Sequence, residues 1–357
     1  MTINEILGKA VEQGASDIFI ISRHTLTFKV QGKLVPASDA PIPPEEVGGL
    51  INQIYRAKER DMALLFNTGD DDFSFSVGGL GRFRVNAFRQ RGTLAAVVRV
   101  ISFTLPNPTA LNIPETVTNL ANFSSGLVLI TGPAGSGKST TLACIIDRIN
   151  QEKSGHIITM EDPIEFIHRH KRCIVTQREV PADSRSYVTA LRAALRQSPN
   201  VLLLGEMRDL ETIEIAMTAA ETGQLVFSTL HTMGAANTID RIIDVFPHSQ
   251  QQQIRIQLSM VLKAVVSQQL LSTTRGRLLP AFEIMLSNLA VQNMIREEKI
   301  HQIESAIYAG TNAGMTSMDN SLFKLYEQSL ITEQDAILHS NNYDSMRHRI
   351  SLYQHHQ

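Results

Sequence analysis

The chain has 357 residues, 43% of them hydrophobic and 19% charged, which is enough for two domains with a core each and excludes a disordered or fibrous protein. Its 33 basic and 35 acidic side chains leave a formal charge of -2, without the excess that sequence-independent nucleic-acid binders use, so no nucleic-acid partner is expected. The two cysteines, Cys144 and Cys173, are too few for a disulfide framework and lack the spacing of a zinc site, so both read as packing residues.

Met1 is followed by Thr-Ile-Asn-Glu rather than a basic start with an apolar core, and no apolar run approaches the length of a bilayer, which predicts a cytoplasmic protein. Thr2 to Gly14 carries Ile3, Ile6, Leu7, Ala10 and Val11 at the spacing of an amphipathic helix. Short strands are predicted at Asp17 to Ile21, Phe28 to Val30, Leu34 to Val35, Phe73 to Val77, Arg82 to Phe88 and Leu94 to Ile101. Gln31-Gly32 and Gly78-Gly79 serve as turns, and a second helix falls between Pro44 and Leu65. Residues 1–104 therefore read as an α+β module with a largely antiparallel sheet.

Leu105-Pro106-Asn107-Pro108 interrupts both helix and ladder, which places a linker at 105–112. From 113 to 340, apolar runs at Leu127 to Thr131, Ile157 to Met160, Val201 to Leu204 and Leu225 to Thr229 alternate with helical patterns. That alternation predicts an α/β domain with a parallel sheet buried on both faces. The last hundred residues read as helical, notably Ile254 to Leu271 with its stripe of Ile254, Leu258, Val261, Leu262, Val265 and Val266. Residues 341–357 read as a polar, frayed tail ending in Gln354-His355-His356-Gln357.

The strand ending at Thr131 runs into Gly132, Pro133, Ala134, Gly135, Ser136, Gly137, Lys138, Ser139 and Thr140. This is G-x-x-x-x-G-K-[ST] between a strand and a helix, the context of a phosphate loop. Glycines let backbone N–H groups approach phosphate oxygens, Lys138 reaches the outer phosphates, and Ser139 offers a hydroxyl to magnesium. ATP with Mg2+ is the expected substrate and cofactor.

Three further strands end in candidate chemistry. The first leads into Glu161-Asp162-Pro163-Ile164-Glu165, where one carboxylate is placed to polarise an attacking water, against the plain alternative of a solvated loop. The second ends in Gly205-Glu206-Met207-Arg208-Asp209, where Glu206 would hold magnesium, directly or through water, or orient the nucleophile; Arg208 and Asp209 equally suit a structural ion pair. The third leads into His231; a lone histidine is more often structural, but this one leaves its strand on the same side as Glu161 and Glu206, where it could sense the terminal phosphate. In the first domain Arg82, Arg84 and Asn86 share one strand face, with Arg89, Arg91 and Arg99 adding charge nearby. A solvated face is the ordinary reading; arginines supplied from outside the nucleotide fold to stabilise phosphate charge are the second.

Taken together, the loop Gly132 to Thr140, the acidic box Glu161 to Glu165, the Walker B region ending at Asp209 and the histidine box Ser228 to Thr232 resemble the type IV pilus retraction ATPases. These form the twitching-motility branch of the secretion ATPase superfamily, and the resemblance covers nearly the whole chain. It implies a PAS-like first domain, a RecA-like second domain and a homohexamer with ATP bound between the domains. Residues matching Arg82 and Arg99 would then reach the nucleotide. It further implies an inner-membrane platform protein as partner, pilin acted on indirectly, and attachment at the inner face of the cytoplasmic membrane. Extension ATPases of the superfamily usually carry an added N-terminal region and a four-cysteine zinc site; both are missing here, which favours the retraction branch. The early Ser-Asp-Leu-His-Leu pattern appears as Ser16-Asp17-Ile18-Phe19-Ile20, and the late Ala-Ile-Arg-Asn-Leu-Ile-Arg-Glu pattern appears as Ala290 to Glu297 with Gln292 in place of the first arginine. Gln292 leaves open an accessory ATPase that works with a second retraction ATPase; independently of that residue, a nucleotide-regulated assembly subunit that binds ATP with negligible turnover is the alternative of a different class.

Overall fold

The computed structural model describes residues 1–30, 32–101 and 105–355, so Gln31 of the first turn and the terminal His356 and Gln357 lie outside the described residues. The chain divides into two compact units, Met1–Thr104 with Glu165–Ile167, and Leu105–Ile164 with His168–Gln357. The stretch expected as a linker thus divides with the second unit, and Glu165, read from sequence as part of the second domain, divides with the first.

The first unit opens with α1 (Ile3–Glu12), started by a capping box in which Thr2 and Glu5 satisfy each other's backbone amides. There follow β1 (Ala15–Ile21), β2 (Thr25–Val30), β3 (Lys33–Pro41), α2 (Pro44–Ala57), α3 (Ala63–Thr68), β4 (Asp70–Val77), β5 (Gly81–Gln90) and β6 (Thr93–Ile101). The strands form one sheet in the order β3-β2-β1-β6-β5-β4, antiparallel at every pairing. The single helix expected between Pro44 and Leu65 is two, because Glu59 takes φ 53°, a left-handed conformation that a right-handed helix cannot contain. Along β5 the alternation is as read: Phe83, Val85 and Ala87 are fully buried, and the arginine face is not.

The second unit is built from α4 (Glu115–Thr118), β7 (Gly126–Thr131), α5 (Lys138–Glu152), β8 (Gly155–Glu161), β9 (Cys173–Glu179), α6 (Tyr187–Ala194), β10 (Val201–Leu204), α7 (Leu210–Glu221), β11 (Leu225–Leu230), α8 (Ala235–Asp244) and α9 (His248–Val261). The chain continues through β12 (Leu262–Ser272), β13 (Leu278–Leu286), α10 (Leu289–Arg296), α11 (Ile303–Ala309), α12 (Met318–Glu327), α13 (Glu333–Leu338) and α14 (Tyr343–His355). Its sheet runs β13-β12-β7-β11-β10-β8-β9, parallel except where β13 joins. Strands β7, β10 and β11 are buried at every residue, because apolar clusters cover both faces of the sheet. The α/β fold expected from sequence is the one observed, a RecA-like P-loop domain preceded by an α+β domain.

Two expectations for the C-terminal third are corrected. The helix read over Ile254 to Leu271 stops at Val261, and Leu262 turns extended into β12, which lies beside β7 and pairs with β13. Short apolar runs fit helix and buried strand alike; here the β-branched pair Val265 and Val266 sits in a fully enclosed strand position. The tail is not frayed through 341–355: α14 buries Met346 and Ile350 against Met318, Leu322 and Phe323 of α12, and the Arg349 guanidinium lies 3.8 Å from the Phe323 ring centroid. Ile350→Ala should therefore destabilise the protein by about 2–4 kcal/mol, read as a lower denaturant midpoint; an unchanged midpoint would mean that α14 adds nothing to the core.

Both cysteines are buried free thiols. Cys144, on α5, donates to the Pro106 carbonyl at 3.5 Å, and burial pushes its pKa up to about 11. Burial raises Cys173 as well. Among the described residues, no helix is long and apolar enough to cross a membrane.

Candidate nucleotide site

Because β7, β11, β10 and β8 are parallel, their C-terminal ends lie at one edge of the sheet, where an open α/β fold presents its ligand crevice. Thr131 pairs with Leu230, so Gly132 and His231 leave neighbouring strands at the same level. Leu204 pairs with both Ser228 and Met160, which brings the segments carrying Glu206 and Glu161 out beside them. Past the formal strands, Met207 N donates to Thr229 O at 3.2 Å and Thr229 Oγ1 to Gly205 O at 2.5 Å, pinning the Glu206 segment to β11.

The loop from Gly132 to Gly137 curls into α5, with Gly137 at φ 89° in the cap position. Lys138 is buried, and its Nζ donates to the carbonyls of Gly132 at 2.8 Å and Pro133 at 2.9 Å. Pro133, Ala134 and Gly135 are exposed, whereas Ser139 and Thr140 are half-buried on the first turn of the helix. The hydroxyls of Ser136, of Thr131 at the end of β7 and of Ser228 within the neighbouring β11 are buried without hydrogen-bond partners. A polar phosphate beside the loop suits such an arrangement better than an apolar ligand.

Glu206 is mostly buried, its side chain 14% exposed, and one carboxylate oxygen pairs with Arg208. The other, Oε2, has no hydrogen bond and lies 3.4 Å from His231 Nε2. Arg208 is thus an ion-pair partner of Glu206, while Asp209 caps α7 through Thr212 N at 2.9 Å. A cleft of ≈ 460 Å³ opens here, lined by Glu206, Arg208, Thr229, His231, Thr232 and Arg241 among others. The hydroxyl of Ser139 and the unbonded oxygen of Glu206 are hard donors of the kind magnesium accepts. One or two protein oxygens suffice when nucleotide phosphates and water complete the shell, so the residues fit the ion.

Glu161 Oε1 accepts from Thr159 Oγ1 at 2.7 Å and Gln177 Nε2 at 3.3 Å, so the carboxylate is aimed by its own strand and by β9. Glu165 belongs to the short segment that divides with the first unit, so the second unit brings together the loop, Glu161, Glu206 and His231 but not Glu165. In the first unit Arg99 pairs with Asp17 at 3.0 Å while remaining 68% exposed, Arg84 pairs with Asp72 at 2.6 Å, and Arg82 stands on the same face of β5 as Arg84.

Several residues that hold this edge carry no motif of their own. Tyr187 packs over Gly205, where a Cβ would come 2.7 Å from its hydroxyl; burial, then Asp162, raises the pKa of that phenol and keeps it neutral. The turn after His231 is tied down twice, by Gly234 N to Ser267 Oγ at 2.9 Å and by Ala235 N to the buried Glu283 Oε1 at 2.8 Å. Gln268 of β12 reaches the phosphate loop itself. Lone Gln, Glu and Tyr residues give no periodic or motif signal.

A phosphate loop on a central parallel strand, with carboxylates and a histidine leaving the adjoining strands, defines a RecA-like P-loop nucleotide-binding protein. The chain belongs to the type II/IV secretion system protein family, whose sequence model matches residues 1–353. It is 44% identical to the type IV pilus retraction ATPase PilT of Pseudomonas aeruginosa over 94% of this chain and 97% of that one. It is 39% identical to the type IV pilus ATPase PilU of the same organism, over 99% of this chain and 92% of its relative. A crystal structure of the pilus retraction motor PilT with bound ADP superposes with a TM-score of 0.86 at 45% identity, covering 97% of this chain and 98% of that one.

Proposed function

We propose that this chain is the ATP-hydrolysing subunit of a ring motor that withdraws type IV pili. The reading is carried by one observation: the phosphate loop, Glu161, Glu206 and His231 meet at one sheet edge in a chain that is 44% identical to a pilus retraction ATPase along nearly its whole length. The backbone amides of the loop and Lys138 bind and orient the triphosphate, and His231 senses the terminal phosphate. Glu161, held by Thr159 and Gln177, orients the attacking water and accepts its proton. Ser139 and Glu206 would hold magnesium, which would supply positive charge against that of the phosphates. Arg82 and Arg99 are supplied from outside the nucleotide fold to stabilise the same charge. The proposed assembly is a homohexamer docked on an inner-membrane platform protein at the cytoplasmic face, and pilin feels the motor only through that machine.

A second reading, an accessory ATPase that works beside another retraction ATPase, is favoured by Gln292, half-buried on α10 where the motor branch has arginine, and by the likeness to PilU. Pilus withdrawal in a deletion strain separates the two. The motor reading expects withdrawal restored by wild type but not by Lys138→Ala, even when every other retraction ATPase is absent. Restoration only in the presence of a second retraction ATPase would select the accessory reading, and normal withdrawal in a strain lacking all of them would remove both.

A further inference from the structure

Gln268 lies in the middle of β12, 2% exposed, directly beneath the phosphate loop. Its Nε2 donates to the Ser136 carbonyl at 2.5 Å, and its Oε1 accepts from Thr141 Oγ1 at 2.8 Å. A carbonyl can only accept, so Ser136 fixes which end of the amide faces the loop, and the hydroxyl on α5 satisfies the other end. Both motif glycines rest on this residue. A Cβ at Gly132 would come 2.2 Å from the Gln268 carbonyl oxygen, and one at Gly137 would come 2.8 Å from Nε2. Part of the glycine requirement in G-x-x-x-x-G-K is therefore set by the neighbouring strand rather than by the phosphates.

In a trans peptide the carbonyl and the following N–H point in opposite directions. We propose that Gln268 is a positioning residue for nucleotide binding: by holding the Ser136 carbonyl toward β12 it turns the Gly137 amide to the far side, where a phosphate oxygen accepts it. Gln268 itself touches no phosphate. Thr141 secures its amide, so the register between α5, β12 and the loop is closed by two side-chain hydrogen bonds. The inference rests on the reading of the loop as the nucleotide site and extends it to a residue that no loop motif contains.

The test is titration of a fluorescent ADP analogue against the full-length wild type and the Gln268→Leu, Thr141→Val and Gln268→Glu variants, with thermal unfolding of each in the absence of nucleotide. Gln268→Leu should bind about 10-fold more weakly, the expected scale for a buried carbonyl left without its donor, and Thr141→Val should lose less. Gln268→Glu supplies the readout that a merely structural role would not move. As an anion its side chain repels the Ser136 carbonyl; as a neutral acid, favoured by burial, it donates in place of the amide. Its affinity relative to wild type should therefore recover as pH falls from about 8 to about 6. Equal affinities in all four proteins would overturn the inference while leaving the loop as the nucleotide site. A loss that only follows the fall in unfolding temperature, with no recovery at lower pH, would also overturn it. Failure of the wild type to bind the probe would remove the loop reading and this inference together.

Discussion

Glu206→Gln should lower steady-state ATP turnover by about 10²–10³-fold while leaving nucleotide affinity within about threefold of wild type. The amide keeps the shape of the side chain but removes its charge, which loosens Arg208, would weaken the proposed hold on magnesium and takes the carboxylate from its place 3.4 Å from His231. Glu161→Gln is the companion experiment. Thr159 and Gln177 both donate to the same carboxylate oxygen, Oε1, so the amide carbonyl keeps both hydrogen bonds but can take no proton. Phosphate release under saturating ATP measures both. If each variant retained full turnover, the assignment of these strands to hydrolysis would be wrong.

Lys138→Ala should act earlier in the cycle, weakening ATP and ADP binding by about 10²-fold or more, the scale of one charged hydrogen bond of roughly 3 kcal/mol. The ammonium spans the loop, bonding to the Gly132 and Pro133 carbonyls, so its removal takes away a positive charge and two internal ties at once. Lys138→Met separates these effects from lost bulk: it fills the same space, cannot donate, and should bind as weakly as the alanine variant. Equilibrium titration with unfolding controls distinguishes loss of binding from loss of fold. Near-normal affinity in both variants would dismiss the loop as a nucleotide cradle.

The sequence was most informative where a local rule had only one structural solution. The four apolar runs of the second unit could become buried parallel strands, and the residues that follow them had to leave at one edge. In the first unit the strict alternation along β5 fixed which face Arg82 and Arg84 share. Failure came where the same pattern serves two structures. Ile254 to Leu271 contains a helix and a strand joined at Leu262, and a run that is apolar at almost every position does not reveal where the period changes. The tail failed for another reason: Met346 and Ile350 are two apolar residues in a polar stretch, and their burial depends on α12, which is distant in sequence. The supports of the site were invisible in the same way. Gln268 lies 132 residues from Ser136, Glu283 lies 48 from Ala235, and each matters only once the sheet has brought β12 beside β7 and β13 beside β12.

The burial of Cys144 and Cys173 makes the wild-type chain a ready host for optical probes. Neither thiol is presented to solvent, and burial raises both pKa values, so at neutral pH they carry little of the thiolate that maleimides attack. A cysteine introduced at exposed Tyr308 or Leu338 would take a dye selectively without prior removal of the native pair. The chain also contains no tryptophan, so a single one placed at Tyr187, over Gly205, would report alone on the sheet edge during turnover.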